Sequence, residues 1–391
     1  MPSPVPERPG LLIRDPFRYS DVTLIIPPAL VPCLQCFDGR QTDVDVKAAL
    51  VRITGDLETT ELAQHLIDTL SESAFLENEV FERVRDERER DFAATPKREA
   101  VHAGAAYPDE ADPLRATLDR YMGAARNTAQ SDGLMGIAAP HVSPEGGWQS
   151  YRAAYGMISQ EYKDRTFVVL GTSHYGEPER FGLTRKPFVT PLGESAVDVP
   201  LVDELERTAA AAIQMEDYCH AVEHSIEFQV LFLQHLYGPE IRILPILCGP
   251  YAHSIYGGGK PEQNENVQRF LGALGEMGAR EGNRLFWVLG IDMAHMGRRY
   301  GDQYTARADE GPMAEVTARD RGRIDRVAAG DAEGFWNLVQ ENHDDLKWCG
   351  SSPLYTFLKA VPQARGHLLR YEQWNIDEQS VVSFGGMAFS G

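Results

Sequence analysis

The segment FVVLGTSH, residues 167–174, carries the clearest signal for the architecture of this chain: an unbroken apolar run, then a glycine and a polar stretch that ends on a histidine. Unbroken apolar runs of this length are typical of strands buried on both faces of a parallel sheet. Similar runs occur at residues 134–139, 241–247 and 285–289, with helical patterns between them at 223–237 and 267–277. We therefore predict an α/β domain over residues 100–391, with a central, mostly parallel sheet flanked by helices.

Histidines follow three of these four apolar runs. Pro140-His141 closes the first, His174 the second, and Asp292-Met293-Ala294-His295 the last. Ligands of open α/β sheets bind outside the carboxyl ends of the strands, where the loops converge. Neutral imidazole is the commonest protein metal ligand and is also suited to proton transfer near neutral pH. The shared position predicts a site at this edge of the sheet, for a metal or for proton transfer.

A cysteine near the end of the chain is a further candidate for a functional site. Cys349 precedes a helical pattern over residues 354–361, with a serine as N-cap and Pro353 at the first helical position. The unpaired N–H groups and the dipole of a helix N-terminus stabilise a thiolate. This placement favours a metal ligand or a nucleophile, although an ordinary buried thiol fits the residue equally well.

The composition narrows the class of protein. Of 391 residues, 38 are Lys or Arg and 58 are Asp or Glu, a formal net charge of −20 that repels a phosphate backbone and makes nucleic acid an unsuitable partner. Neither a signal peptide nor an apolar run long enough to span a bilayer is recognisable, so we expect a soluble, cytoplasmic protein without membrane contact. Five scattered cysteines do not form a disulfide framework.

Residues 1–95 read as a separate small module. Short β-like runs at 11–13 and 22–26 precede helical patterns at 57–70 and from 75 onward. The last pattern enters a mixed-charge run at 82–91, which is typical of a solvated helix face. We predict an α+β, winged-helix-like module with a linker helix that contacts protein rather than nucleic acid. Its lone Cys33-Leu34-Gln35-Cys36 is interpreted as two packed structural cysteines, because no second ligand pair completes a zinc site.

Six short motifs in the large domain resemble those of a known family. In chain order they are Ala103-Gly104-Ala105-Ala106-Tyr107-Pro108, Pro140-His141, Gly171-Thr172-Ser173-His174, Glu223-His224-Ser225-Ile226-Glu227, Asp292-Met293-Ala294-His295 and Cys349-Gly350. With these motifs, residues from about 100 to 391 resemble the Memo family, the B component of the AmmeMemoRadiSam system, which is related in fold to class III extradiol dioxygenases. One departure is Val142-Ser143-Pro144, where the family usually continues with Ala-Gly-Tyr.

The resemblance implies a redox-metal oxidoreductase. Its metal, iron (Fe²⁺) or copper and less readily zinc, would be held by His141, His174 and Cys349. His295 would act as acid/base, with Asp292 as its orienting partner. The implied pocket-lining residues are Glu223, His224 and Tyr175. By the same resemblance, we expect a small-molecule or peptide substrate, and a radical-SAM protein and an Amme-type protein as partners.

Two other interpretations stay open. His220-Ala221-Val222-Glu223-His224 spells the H-x-x-E-H motif of a zinc peptidase, which needs two histidines at helical spacing and a third ligand such as Glu310 or Glu315. Alternatively, the crevice serves a non-catalytic module that binds a peptide or a partner protein.

Overall fold

The computed structural model describes residues 7–123 and 133–391, and the chain divides into one unit that ends at Ala94 and a second that begins at Thr95. The described helices and strands of the first unit are β1 (Leu11–Arg14), β2 (Thr23–Ile26), α1 (Asp43–Thr54), α2 (Thr60–Glu72) and α3 (Glu79–Ala94). β1 and β2 pair antiparallel, so this unit is a small α+β module.

Helix α1 is absent from the sequence prediction. It begins at a capping box, in which the side chain of Thr42 accepts from the backbone of Asp45 and the side chain of Asp45 accepts from the backbone of Thr42. It ends at Gly55, whose φ of 73° few residues other than glycine adopt at low cost. Its buried Val46 and Leu50 share a core with Cys33. Both Cys33 and Cys36 are free thiols, and burial raises the pKa of Cys33. The resemblance of this module to a winged helix stays a prediction.

The second unit alternates helices and strands. In chain order these are α4 (Ala111–Met122), β3 (Leu134–Ala139), α5 (Pro144–Tyr155), β4 (Thr166–Thr172), β5 (Phe181–Leu183), β6 (Phe188–Thr190), β7 (Gly193–Val197), α6 (Val199–Ala209), β8 (Ile213–Met215), α7 (Cys219–Val222), α8 (Glu227–Tyr237), β9 (Arg242–Cys248), α9 (Ala252–Gly257), α10 (Glu265–Glu281), β10 (Leu285–Gly290), β11 (His295–Gly297), α11 (Met313–Ala328), α12 (Ala332–Gln340), α13 (Ser351–Ala360), β12 (Arg365–Asp377) and β13 (Ser380–Ser390).

The centre of the sheet is parallel. Strands β3, β10, β4 and β9 lie side by side in this order, with Leu289 beside both Ala138 and Leu170, and Leu170 beside Ile246. These are the four strands that the apolar runs predict, and nearly all of their residues are buried. Helices contact the sheet along its length: α5 contacts β3, α8 contacts β10, and α13 contacts β4 and β9. The predicted α/β class with a mostly parallel sheet is confirmed.

The end of the chain adds two strands that the apolar runs do not predict. β12 and β13 form a long antiparallel hairpin, and β13 pairs antiparallel with β3 through Met387 and Ala138. Two predicted helix starts are also wrong. The helix predicted from residue 223 begins at Glu227, because Glu223 is extended with a ψ of 143°. The helix predicted with a serine N-cap and Pro353 at its first position begins at Ser351, and its N-cap is Gly350. No helix among the described residues is long and apolar enough to cross a bilayer.

Candidate metal centre

His141 directly follows β3 and is almost fully buried. Its Nδ1 lies 2.9 Å from the carbonyl oxygen of Gly290, which can only accept, so Nδ1 carries the proton. In the neutral ring, the lone pair is then on the other nitrogen, Nε2. This nitrogen lies 3.3 Å from Sγ of Cys349 and 3.5 Å from Oδ2 of Asp292. The fixed tautomer leaves Nε2 of His141 available as a ligand atom.

His174 follows β4 and is held by a carboxylate. Its Nδ1 lies 3.0 Å from Oε2 of Glu223, and its backbone N–H donates to Oε1 of the same residue. Burial lowers the pKa of His174, but the charge of Glu223 outweighs it and the net pKa is raised well above the usual range. A carboxylate behind Nδ1 is the arrangement that orients metal-binding histidines with Nε2 toward the metal. The side chain is 27% exposed, so the site is open to solvent here.

Two glycines give the Glu223 segment room to approach the sheet. Gly171 and Gly290 lie beside each other at the ends of β4 and β10. A Cβ at Gly290 would lie 2.2 Å from the carbonyl oxygen of Ser225, and one at Gly171 would lie 2.6 Å from the Ser225 hydroxyl. Any larger residue would therefore displace the turn that carries Glu223 and His224.

His224 joins the two predicted ligands. Its ring stacks on that of His174 with centroids 5.0 Å apart and lies 5.2 Å from that of His141. One nitrogen from each of the three histidines lies within 4.8 Å of the others. Burial and the neighbouring histidines lower the pKa of His224 well below its usual value, so its imidazole is neutral. The sequence predicts His224 only as a pocket-lining residue, whereas its geometry makes it a fourth candidate donor beside Cys349.

Cys349 is fixed between two loops. The Thr172 hydroxyl donates to the Cys349 carbonyl oxygen at 3.0 Å, and the N–H of Gly350 donates to the Asp292 carbonyl oxygen at 3.0 Å. Burial raises the pKa of the thiol, but His141 and His174 outweigh it and lower the net pKa. The two imidazoles thus favour the thiolate form of Cys349, which is the form of cysteine that binds metals.

The hydrogen bonds of Asp292 involve the His141 segment. Its Oδ1 accepts the backbone N–H groups of His141, at 2.9 Å, and of Val142, at 3.3 Å. Burial raises the pKa of Asp292 to about 6. These hydrogen bonds orient the His141 segment, whereas the sequence interpretation gave Asp292 the task of orienting His295.

His295 is oriented by backbone carbonyl groups instead. Its Nδ1 lies 2.9 Å from the oxygen of Met293 and 3.1 Å from that of Lys347, so Nδ1 carries the proton and Nε2 is the basic nitrogen. Burial lowers the pKa of His295. A neutral histidine with a free Nε2 is suited to accept a proton.

A cavity of about 260 Å³ adjoins the donors. Its walls include His174, Cys349, Lys347, Trp348 and Ile255. Tyr175, predicted to line a pocket, is half-buried with its ring 6.3 Å from that of His174. We call the group of His141, His174, Glu223 and His224 the histidine half of the site, and the group of Asp292, His295 and Cys349 the cysteine half.

The H-x-x-E-H segment lacks the geometry of a zinc peptidase. Helix α7 ends at Val222 and Glu223 is extended, so the helical spacing of His220 and His224 predicted for this motif is wrong. Nε2 of His220 lies 3.0 Å from the carbonyl oxygen of Gly182. Glu310 and Glu315, the proposed third ligands, are both exposed at the surface, before and at the start of α11.

A buried ion pair supports the histidine half, and the sequence interpretation missed it. Arg98 pairs with Glu227 and donates to the carbonyl oxygens of His220, at 2.8 Å, and Glu223, at 2.7 Å. Glu227 also accepts the hydroxyl of Tyr107. Tyr107 and Glu227 belong to the quoted motifs, which was a usable signal, but nothing in the sequence distinguishes Arg98 from a surface arginine.

The fold and site define an α/β protein with imidazole and thiol donors gathered at the carboxyl edge of a mostly parallel sheet. A family model described as Memo-like protein matches residues 98–388. The chain therefore belongs to the Memo-like protein family, which confirms the resemblance inferred from the motifs.

Two similar relatives are described as MEMO1 family proteins. A MEMO1 family protein of Aquifex aeolicus is 28% identical over 383 residues, covering 97% of this chain and 95% of the relative. One of Desulfurococcus amylolyticus is 24% identical over 75% of this chain and 99% of its own length. An uncharacterized Escherichia coli K12 protein of known crystal structure aligns with 66% of this chain and all of its own at 10% identity, with a TM-score of 0.39.

Proposed function

We propose that this protein binds a redox-active metal, iron or copper, through His141, His174 and Cys349. The observation that supports the proposal is the orientation of the two imidazoles: Nδ1 of His141 and of His174 is engaged by an acceptor, so that Nε2 is the nitrogen that a metal would bind, in competition with a proton at His174. The thiol of Cys349 lies 3.3 Å from one of these nitrogens. Imidazole and thiolate together suit iron, copper and zinc, and the softness of the thiolate favours copper(I) or iron over harder cations.

We further propose that the protein is an oxidoreductase that resembles class III extradiol dioxygenases. When bound, the metal would supply redox and Lewis-acid chemistry. His295 would accept and return a proton at Nε2, because its Nδ1 is committed to the oxygens of Met293 and Lys347. Asp292 would keep the His141 segment in place through its two backbone hydrogen bonds.

The cavity beside the donors bears on the substrate. At about 260 Å³ it is smaller than the roughly 300–1,000 Å³ of pockets for drug-sized ligands. A small molecule or a single side chain of a peptide fits this volume. A peptide substrate would accord with a place beside a radical-SAM protein and an Amme-type protein, partners that we infer from the family resemblance, as we do a cytoplasmic location.

Cys349 and His224 can be tested against each other as the third ligand. We would purify the wild type, Cys349→Ala and His224→Phe without oxygen and measure iron, copper and zinc per chain. The proposed set predicts near-stoichiometric iron or copper in the wild type and in His224→Phe, and little in Cys349→Ala. Full metal in Cys349→Ala with loss in His224→Phe would replace the thiol by the third imidazole, and no redox metal in the wild type would contradict the proposal.

The enzymatic and the non-catalytic interpretations differ in what they demand of His295. With metal bound, we would measure oxygen uptake in the presence of candidate diols and peptides for the wild type and His295→Gln. An enzyme predicts uptake that falls by about 10²–10⁴-fold in the variant while metal content is retained. No metal-dependent uptake in the wild type, together with peptide binding that is the same in the wild type and in His295→Gln, would favour a binding module.

A further inference from the structure

A buried carboxylate outside the donor set lies behind the cysteine half. Asp320 belongs to α11 and is fully buried. Its Oδ1 accepts the indole N–H of Trp348 at 2.6 Å, and its Oδ2 accepts the hydroxyl groups of Ser383 at 2.6 Å and of Tyr371 at 2.7 Å. All three donors are neutral, so an acceptor-only group is surrounded by hydrogen bonds with fixed directions.

Asp320 is linked to Cys349 through Trp348. Trp348 precedes Cys349 in the chain and is 1% exposed. Its backbone N–H donates to Oδ2 of Asp344 at 3.0 Å, and Asp344 is paired at 2.7 Å with Arg323, which lies one helical turn after Asp320. Helix α11 therefore holds Trp348 at both its ring and its backbone, and with it the segment that ends on the thiol.

Asp320 is linked to the segment of Asp292 and His295 through Ser383. The Ser383 oxygen accepts the N–H of Ala294 at 2.8 Å, so the hydroxyl hydrogen is directed to Asp320. The backbone of Ser383 also accepts from Met293 at 2.8 Å and donates to Ala294 at 2.9 Å. One side chain on α11 thus contacts the supports of both segments of the cysteine half.

We propose that Asp320 is a positioning residue that fixes residues 344–350 and 292–295 relative to each other, and thereby Cys349 relative to His295. Replacement by alanine would leave the buried donors of Trp348 and Ser383 and the half-buried hydroxyl of Tyr371 without this acceptor, which favours opening of both segments. Asparagine can still accept from Trp348, and its amide can donate to the Ser383 or Tyr371 oxygen, so its effect is smaller. The consequence for metal affinity rests on the proposed function, but the effect on the two segments does not.

The first experiment measures amide hydrogen exchange by mass spectrometry on the full chain. Asp320→Ala is expected to exchange about tenfold faster or more in 292–295 and 344–350, with β4 and α8 unchanged. The control is Arg326→Gln, which removes an exposed ion pair to Asp331 from the same helix, outside both measured segments, and should behave as wild type. Wild-type exchange in either segment, or an equal increase in β4, would overturn the proposal.

A second variant covers the case in which Asp320→Ala does not fold. Ser383→Ala keeps the hydrogen bond between Trp348 and Asp320 and removes only the link from Asp320 through the Ser383 hydroxyl to Ala294. It should speed exchange in 292–295 and leave 344–350 as in the wild type. An equal change of exchange rate in 292–295 and 344–350 would contradict two separate links from Asp320 to these segments.

The effect on the site is measured with cobalt(II) as the probe metal. Cysteine ligation gives a thiolate-to-cobalt charge-transfer band, and loss of a residue that supports the ligands typically lowers metal affinity about 10–100-fold. We expect a loss of this size and a weaker band in Asp320→Ala, and neither in Arg326→Gln. Unchanged affinity would contradict the effect on the ligand. If the wild type binds no cobalt, the proposed function fails, and the exchange data alone decide the role of Asp320.

Discussion

The histidine half and the cysteine half of the site are supported in different ways. Behind the histidine half lies a buried ion pair, Arg98 with Glu227, whose hydrogen bonds reach the carbonyl oxygens of His220 and Glu223. Behind the cysteine half lies Asp320, which accepts from neutral donors only. Loss of one partner of a buried ion pair leaves an uncompensated charge, whereas loss of a neutral network leaves unpaired donors at a lower cost. We therefore expect damage to the first support to destabilise the whole domain and damage to the second to act locally.

The largest effect is expected for Glu227→Gln. The variant keeps the shape of the side chain but leaves Arg98 buried without its counter-charge. The free energy of unfolding should fall by about 3–5 kcal/mol, measured by urea denaturation followed by circular dichroism.

Tyr107→Phe is the matched control for this ion pair. It removes one hydrogen bond to Glu227 and leaves the charges paired, so a smaller loss of about 1.5–3 kcal/mol is expected. A Glu227→Gln protein as stable as the wild type would remove the distinction between the two supports.

The next largest effect is the loss of folding stability at low pH that the protonation of His220 causes. Burial lowers the pKa of His220 to about 4, below the value of about 6.5 expected in the unfolded chain. As pH falls, the unfolded chain takes up the proton first, so the stability from this group is complete above pH 6.5 and is lost between 6.5 and 4. The loss should reach about 3 kcal/mol at pH 4.

His220→Gln tests this, because glutamine can still donate to the carbonyl oxygen of Gly182. Unfolding free energies of both proteins would be measured between pH 7 and pH 4. The difference between wild type and variant should shrink as pH falls. Parallel curves would show that His220 is protonated in the folded state as readily as in the unfolded chain.

The smallest effect is expected for Glu223→Gln, which weakens the orientation of His174, because the His174 side chain is partly exposed to solvent and its charge does not stay fully buried as that of Arg98 does. Metal affinity should fall about 10–100-fold, as is usual for a carboxylate behind a ligand histidine, while stability changes little. Titration with cobalt(II) measures this. Glu216→Gln is the control, because that carboxylate pairs with Lys186 instead of a ligand histidine and should leave affinity unchanged. A large loss of stability without loss of affinity would give Glu223 a structural role only.

Much of the histidine half could be read from the sequence, because parallel strands impose their own pattern. Strands buried on both faces are unbroken apolar runs, and the residues that follow them meet at one edge of the sheet. His141 and His174 were found this way. The positions of His224 and Glu223 were less accessible, since a helical pattern over 223–237 conceals the extended residue at which the chain turns toward the strand ends.

The cysteine half was harder to predict. Cys349 and His295 were recognised as candidates, but the hydrogen bonds from the His141 segment to Asp292 were not predicted. Neither Asp320 nor Ser383 carries a local signal, since an aspartate in a charged helix and a serine in a terminal strand are ordinary residues.

The amino-acid pattern alone thus fixes the parallel strands, the edge at which the site forms, the family and most of the donor residues. Each of these depends on local periodicity or on short motifs. The folded chain was needed to show which nitrogen of each histidine is free, that His224 stacks on His174, and that Arg98 and Asp320 support opposite halves. The physical reason is that these contacts join side chains far apart in the sequence, as when Asp320 of α11 meets Ser383 of β13, and hydrogen-bond directions become defined only once both partners are buried together.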